Sequence, residues 1–195
     1  MSNYLYVSVP NDPSAARLGP VVNMPKEYQL EEDVSLEGEL PLDVHFNMMD
    51  GYGLQLRDVL NCESNALVIS EAVKNFLDGR EDVGNAETPR VNIVDHEGKV
   101  LDEPYYLLHL RRHQDCIDEE QTEVERWAVD PESFQFVYDL TLNESRIDPD
   151  VTLFRLKRYP YPIIIRRDLA ERIDATDLTG LTFREIEEYD HFDEL

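Results

Sequence analysis

Asp and Glu outnumber Lys and Arg by 42 to 18, and the formal charge of −24 is the first condition on any fold this chain adopts. Like charges repel in a compact state, so such a chain stays soluble but resists collapse. Disorder is therefore the first outcome to weigh. The rest of the composition argues against it, because apolar residues make up 42% and aromatic residues 9%. A chain of 195 residues buries roughly 70% of the surface its unfolded form exposes, enough for a proper core. One domain over residues 1–195 is expected, or two small units closely packed.

The charge also selects partners. An acidic surface repels phosphates, which excludes nucleic acid and anionic membranes as direct ligands. The favoured partner is a basic protein, including one that itself handles nucleic acid. The longest apolar runs, Ala66–Ile69 and Pro162–Ile165, fall far short of the ~20 residues of a membrane span. Met1–Val7 lacks the basic and apolar regions of a signal peptide. Cys62 and Cys116 stand 54 positions apart in no metal-ligand spacing. Free thiols and a cytoplasmic location are expected.

Along the chain, Asn3–Val9 alternates as a first strand, and Pro10 and Pro13 stop it. Residues 10–41, rich in Pro, Glu and Asp, read as an extended surface excursion. Leu42–Phe46 is a short strand, followed by a loop over Met48–Gly53. A helix starts at the N-cap Ser70, with Ala72, Val73, Phe76 and Leu77 on its apolar stripe and Gly79 at its end. Leu67–Ile69 is a strand stub before it. Arg90–Val94, the turn Asp95–Gly98 and Val100–Leu101 form a hairpin, and Tyr105–Leu110 is a strand buried on both faces near its middle. Phe134–Leu140 is a strand expected to pair with Leu153–Leu156 or with residues 105–110. Ile163–Ile165 and a helix over Asp168–Ile173 repeat the earlier strand–helix unit: Ser70, Val73 and Leu77 fall on Arg166, Leu169 and Ile173 at one displacement of 96 residues. Leu178–Phe183 returns as turn and strand, and the acidic tail Glu185–Leu195 is expected to fray. Together these predict an α+β fold with mostly antiparallel sheet and two short strand–helix units, a weak internal duplication being one explanation of the match.

Catalytic machinery is sparse. The chain has no Gly-rich phosphate loop, no Gly-x-Ser-x-Gly elbow and no His-Glu-x-x-His motif. His109, Arg111, Arg112, His113, Asp115 and Cys116 offer the best cluster, since a Cys beside a His is the raw material of a thiol nucleophile. A strand end turning into a polar loop explains the same residues more simply. No cofactor or metal is expected. The densest acidic groups are Glu31, Glu32 and Asp33 with Glu37 and Glu39, then Asp115, Asp118, Glu119 and Glu120, then the tail. Each would do as a solvated face, yet neighbours of one sign cost free energy that a basic partner relieves. Arg155, Lys157, Arg158, Arg166 and Arg167 bracket a Tyr159–Pro162 turn and read as an internal counterweight to the acid. Trp127, the only tryptophan, is either a lid over the core or an interface anchor.

Asn92–Asp95 through Tyr105–Leu108 and then Asp115–Asp118, with Phe154–Leu156, Ile163–Ile165, Leu169 and the closing Leu178–Phe183, resemble a bacterial immunity-protein family of polymorphic and type VI-secreted toxin systems, long catalogued as a domain of unknown function. The match covers about residues 60–186 and leaves an acidic N-terminal part (1–60) and tail (187–195) outside the family core. The resemblance implies a non-catalytic antidote that binds a secreted toxin, with no catalytic residues to carry over. Joined to the charge, it predicts a basic toxin such as a nuclease. Glu31, Glu32, Asp33, Asp115, Asp118, Glu119, Glu120 and Trp127 are the candidate contacts. The alternatives are an enzyme that reverses the toxin's modification through the His109–Cys116 region, and an adaptor or chaperone for a secreted effector. The oligomeric state is left open.

Overall fold

The computed structural model describes residues 2–189 except 25, 65, 84 and 85. In chain order its strands are β1 (Tyr4–Ser8), β2 (Leu18–Val22), β3 (His45–Met48), β4 (Val59–Leu60), β5 (Leu67–Ser70), β6 (Ala86–Glu87) and β7 (Arg90–Val94). There follow β8 (Tyr105–Leu110), β9 (His113–Gln114), β10 (Glu123–Arg126), β11 (Phe134–Tyr138), β12 (Leu153–Leu156), β13 (Tyr159–Arg166) and β14 (Thr182–Glu185). The α-helices are α1 (Glu71–Leu77) and α2 (Arg167–Asp174). One sheet runs β14-β1-β13-β12-β9 and a larger one β2-β3-β7-β8-β5-β4, with β6 also on β8. Pairing is antiparallel except for β3 with β7 and β12 with β9, so the fold is α+β and largely antiparallel as expected.

Because β1 lies between β13 and β14, its alternation buries two faces. Tyr4 and Tyr6 enter one apolar core with Phe154 and Ile164, while Leu5 enters a second with Ile163 and Ile165. Both helices dock on that second core, through Val73 and Leu77 of α1 and Leu169, Ala170 and Ile173 of α2. Ser70 caps α1 by accepting the Val73 amide at 3.4 Å, and Gly79, at φ +75°, turns the chain out of the helix. Ala72, expected on the buried stripe, is exposed, since it lies roughly 100° round the helix from Val73. The displacement of 96 residues extends beyond the helices, carrying β4, β5 and β6 into β12, β13 and β14. Strand order agrees: β5 stands between β4 and β8, with β6 beyond β8, as β13 stands between β12 and β1, with β14 beyond β1.

Several expectations are corrected. Residues 10–41 are not a surface excursion: they contribute β2 and bury Ala16, Leu18, Leu30 and Leu36 against Phe46, Leu60, Val68 and Leu107. Their apolar residues lack a period because they dock from different short pieces, Leu18 from β2, Leu30 from a 3-10 turn and Ala16 and Leu36 from irregular chain. The strand read over Leu42–Phe46 begins only at His45, and Leu42 is exposed. Tyr159–Pro162 is strand, not turn. The β1 ladder on β13 ends at Val7 opposite Ile163, so the prolines lie beyond that ladder, where it requires no N–H from them. Phe134–Tyr138 pairs with Glu123–Arg126, because β12 and β8 already have neighbours on both sides. The tail does not fray up to residue 189. Glu185 bonds Arg167, Ile186 and Tyr189 are buried, and the Tyr189 ring packs 5.2 Å from that of Tyr6. Residues 190–195 lie outside the described residues.

Asp58 joins the first half of the chain to its closing turn. Its carboxylate accepts Ser70 Oγ (2.8 Å), Thr179 N (2.9 Å) and Thr179 Oγ1 (2.7 Å), while Val59 N donates to Thr179 O (3.0 Å). Gly180 makes the approach feasible: it holds φ +88°, and a Cβ there would meet Val59 O at 2.2 Å. Gly180→Ala should therefore cost on the order of 2–4 kcal/mol of stability in urea unfolding. Burial pushes the Asp58 carboxyl upward, but the bonds from Thr179 and Ser70 outweigh it and leave its pKa below the ordinary value. A depressed carboxyl stabilises the fold above its unfolded value of about 3.9, and that contribution is lost as pH falls through the lower folded value. Asp58→Asn should destabilise the protein by about 1–3 kcal/mol near neutral pH. Unfolding curves should also show it losing less stability than the wild type between about pH 5 and pH 2.

Candidate functional site

The second acidic group is only partly available to a partner. Asp115 pairs with Arg146 (3.0 Å) and Arg158 (3.3 Å), and Glu119 pairs with both Arg126 and Arg158. The two guanidiniums stack over the buried Phe134 ring, Arg158 at 4.6 Å and Arg126 at 4.9 Å from its centre. Arg158 and Arg126 also hold the Glu119 carboxyl below its ordinary pKa. Asp118 is spent on its own turn, accepting Glu120 N and Gln121 Nε2. Neither Asp118 nor Glu120 has a cation partner among the described ion pairs, and Glu120 is the more exposed of the two. This network fastens the β10–β11 hairpin to the body.

Trp127 is the first residue after β10, 39% exposed, so it is no lid over the core. The hairpin brings it near the 115–120 group through Arg126, but not near Glu31, Glu32 and Asp33. Asp33 approaches Arg111 (4.0 Å), Glu31 lies in the field of the buried Arg155, and Glu32 is exposed. Glu87, which the sequence did not single out, is the closer partner of Arg111 (3.1 Å) and also accepts Ser35 Oγ and Leu36 N. Glu123, Glu125, Asp130, Glu132 and Val129 were missed as well. Their signal was the Glu123-Val124-Glu125 alternation ahead of Trp127, which only makes sense once Phe134–Tyr138 is its partner strand.

Of the basic residues read as a counterweight, Arg158, Arg166 and Arg167 pair with acid, at Asp115 and Glu119, Asp168 and Glu185. Lys157 is exposed. Arg155 is interior, 2% exposed, donating to the carbonyl oxygens of Pro160 and Tyr161.

The His109–Cys116 region does not form a reactive thiol site. Cys116 is sealed in the core, where burial, with Asp115 adding, pushes its thiol up to about 12. His109 is buried, with Nε2 2.7 Å from Val34 O. Burial lowers the pKa of both His109 and His113. Cys62 is likewise raised by burial to about 11 and donates to the Ser64 and Ala66 carbonyls. A nucleophilic thiol needs the opposite environment, exposed and electropositive. Among the described residues no three His, Cys, Asp or Glu side chains gather to hold a metal. Nor is any helix there long and apolar enough to cross a membrane. Both thiols should resist a disulfide-exchange reagent near pH 8 in the native protein and react fully only in denaturant. Rapid native labelling of Cys116 would contradict its burial.

The defining pattern of the immunity protein family (Imm11) matches residues 18–188. That span reaches further toward the N-terminus than the 60–186 read from the motifs, and it takes in the segment that builds β2 and the core around Leu18 and Leu36. No curated protein matches the chain. With that pattern covering most of its length, this chain belongs to the immunity protein family (Imm11).

Proposed function

We propose that the protein protects its producer by binding one cognate secreted toxin, of the polymorphic or type VI class, in the cytoplasm and occluding it sterically and electrostatically. The toxin is basic, and a nuclease is the class that fits best, because its substrate groove already attracts polyanions. The net charge of −24 carries this reading. Arginine pairing neutralises Asp115 and Glu119 but leaves Glu120, Glu123, Glu125, Asp130 and Glu132 exposed without an ion pair among the described residues. Uncompensated carboxylates at a surface steer a basic partner and gain most when that partner covers them.

The direct test is titration of the purified protein against the toxin domain encoded beside it. Affinity should fall roughly tenfold or more between about 50 and about 300 mM NaCl, as screening shortens the reach of the carboxylates. Salt-independent affinity would remove the electrostatic part of the mechanism, and failure to form a complex would remove the function. Toxin recovered from the inhibited complex by denaturation and refolding should regain full activity. Permanently altered toxin would instead favour an enzyme acting on it.

A further inference from the structure

We propose that the loop joining β10 to β11 is the element that enters the toxin, with Trp127 and Val129 as its apolar anchors and the surrounding carboxylates as its rim. This rests on the function proposed above and names the surface that performs it. The occupant is a basic toxin domain presenting a concave groove with cationic walls.

Position comes first. The β10–β11 hairpin forms its own two-stranded sheet, laddered to neither large sheet and tied to the β12–β13 turn by Phe134 N donating to Arg158 O (2.9 Å). Its inner side, Val124, Phe134 and Val137, packs on the first apolar core. The base is therefore anchored while residues 125–132 are all exposed.

Shape comes second. Trp127 N donates to Ser133 O (3.3 Å), and Arg126 Nη1 donates to Pro131 O (2.7 Å). Ser133 donates to Asp130 through N (3.1 Å) and Oγ (2.6 Å). A loop held by its own hydrogen bonds has little entropy left to lose on docking.

Chemistry comes third. Val129 is 92% exposed, beside exposed Trp127 and Ala128. Leaving these apolar groups in water is unfavourable, and tryptophan is among the residues that most often dominate binding energy. Glu125, Asp130 and Glu132 are exposed in the same segment, with Glu120 and Glu123 exposed ahead of it, none ion-paired among the described residues, while the lone arginine of the hairpin is turned back onto Glu119. An apolar tip inside an acidic rim matches a cationic groove with an apolar floor. It does not match a neutral or acidic surface, nor a second copy of this acidic chain.

The test uses the full-length chain. Trp127→Ser combined with Val129→Ser should weaken toxin binding roughly 30-fold or more and leave the urea midpoint unchanged. Glu37→Gln with Glu39→Gln, on the other acidic segment, should change affinity by less than about threefold. Val129→Ser alone, at a site with almost no packing to lose, should still weaken binding if the double variant proves less stable. Wild-type affinity in the Trp127 and Val129 variants overturns the proposal while leaving the proposed function standing. Absence of any wild-type complex overturns both. A wild-type dimer that dissociates in the variants would mark the loop as a contact between copies, and that too overturns it.

Discussion

The arrangement of this protein turns on one buried cation. In a chain with 42 carboxylates, the largest fully buried side chain is Arg155. Its guanidinium donates to the carbonyl oxygens of Pro160 and Tyr161, in the stretch of β13 where the β1 ladder has ended and prolines supply no N–H. Burial draws its pKa down to about 10, and the charge of Glu31 opposes that fall, so it stays protonated near neutral pH. Burying a charge is costly unless hydrogen bonds compensate it, and the Arg155 bonds to the Pro160 and Tyr161 carbonyls supply that compensation. Arg155 thereby holds β13 extended. On β13 depend β1 and, through it, β14, and the α2 helix starts directly from its end.

The same constraint orders the remaining charge. Cations near the body of the protein pair inward: Arg111 with Glu87, Arg158 with Asp115 and Glu119, Arg166 with Asp168, Arg167 with Glu185. Exposed pairs of this kind contribute little stability individually. Their effect is to fix where the acidic segments lie and to occupy most of the arginines. The carboxylates left without an ion pair among the described residues include Glu120, Glu123, Glu125, Asp130 and Glu132, although Arg126 lies among them and turns to Glu119. This exposed acid is the surface that the proposed toxin contact would use.

Much of the local structure was legible in the residues. Ser70 and Gly79 bracketed the first helix because capping and a left-handed φ are decided within a few residues. The Asp95–Gly98 turn was readable for the same reason, since Asp95 Oδ1 accepts the amides of Glu97 and Lys99. The two-faced burial of Tyr105–Leu110 followed from its adjacent Tyr and Leu pairs, with His109 buried as well. The displacement of 96 residues, visible in three pairs of positions, proved to relate whole strand–helix units.

The sequence by itself determined the fold class, the two helices and the family resemblance, because these rest on local sterics, periodicity and the order of motifs along the chain. Tertiary structure alone decided which strand Phe134–Tyr138 would join, a competition for free edges that β12 and β8 had already closed. It also decided which carboxylates remain free. Asp115 and Glu119 look the same in sequence as Glu123 and Glu125, and differ only because Arg146 and Arg158 arrive from distant segments, and Arg126 turns away from its neighbour Glu125, to neutralise the first pair. Cys116 follows the same logic, a thiol beside histidines in the chain and a sealed core residue in space. Partners brought together by folding set the chemistry of a side chain, and the order of residues along the chain does not reveal them.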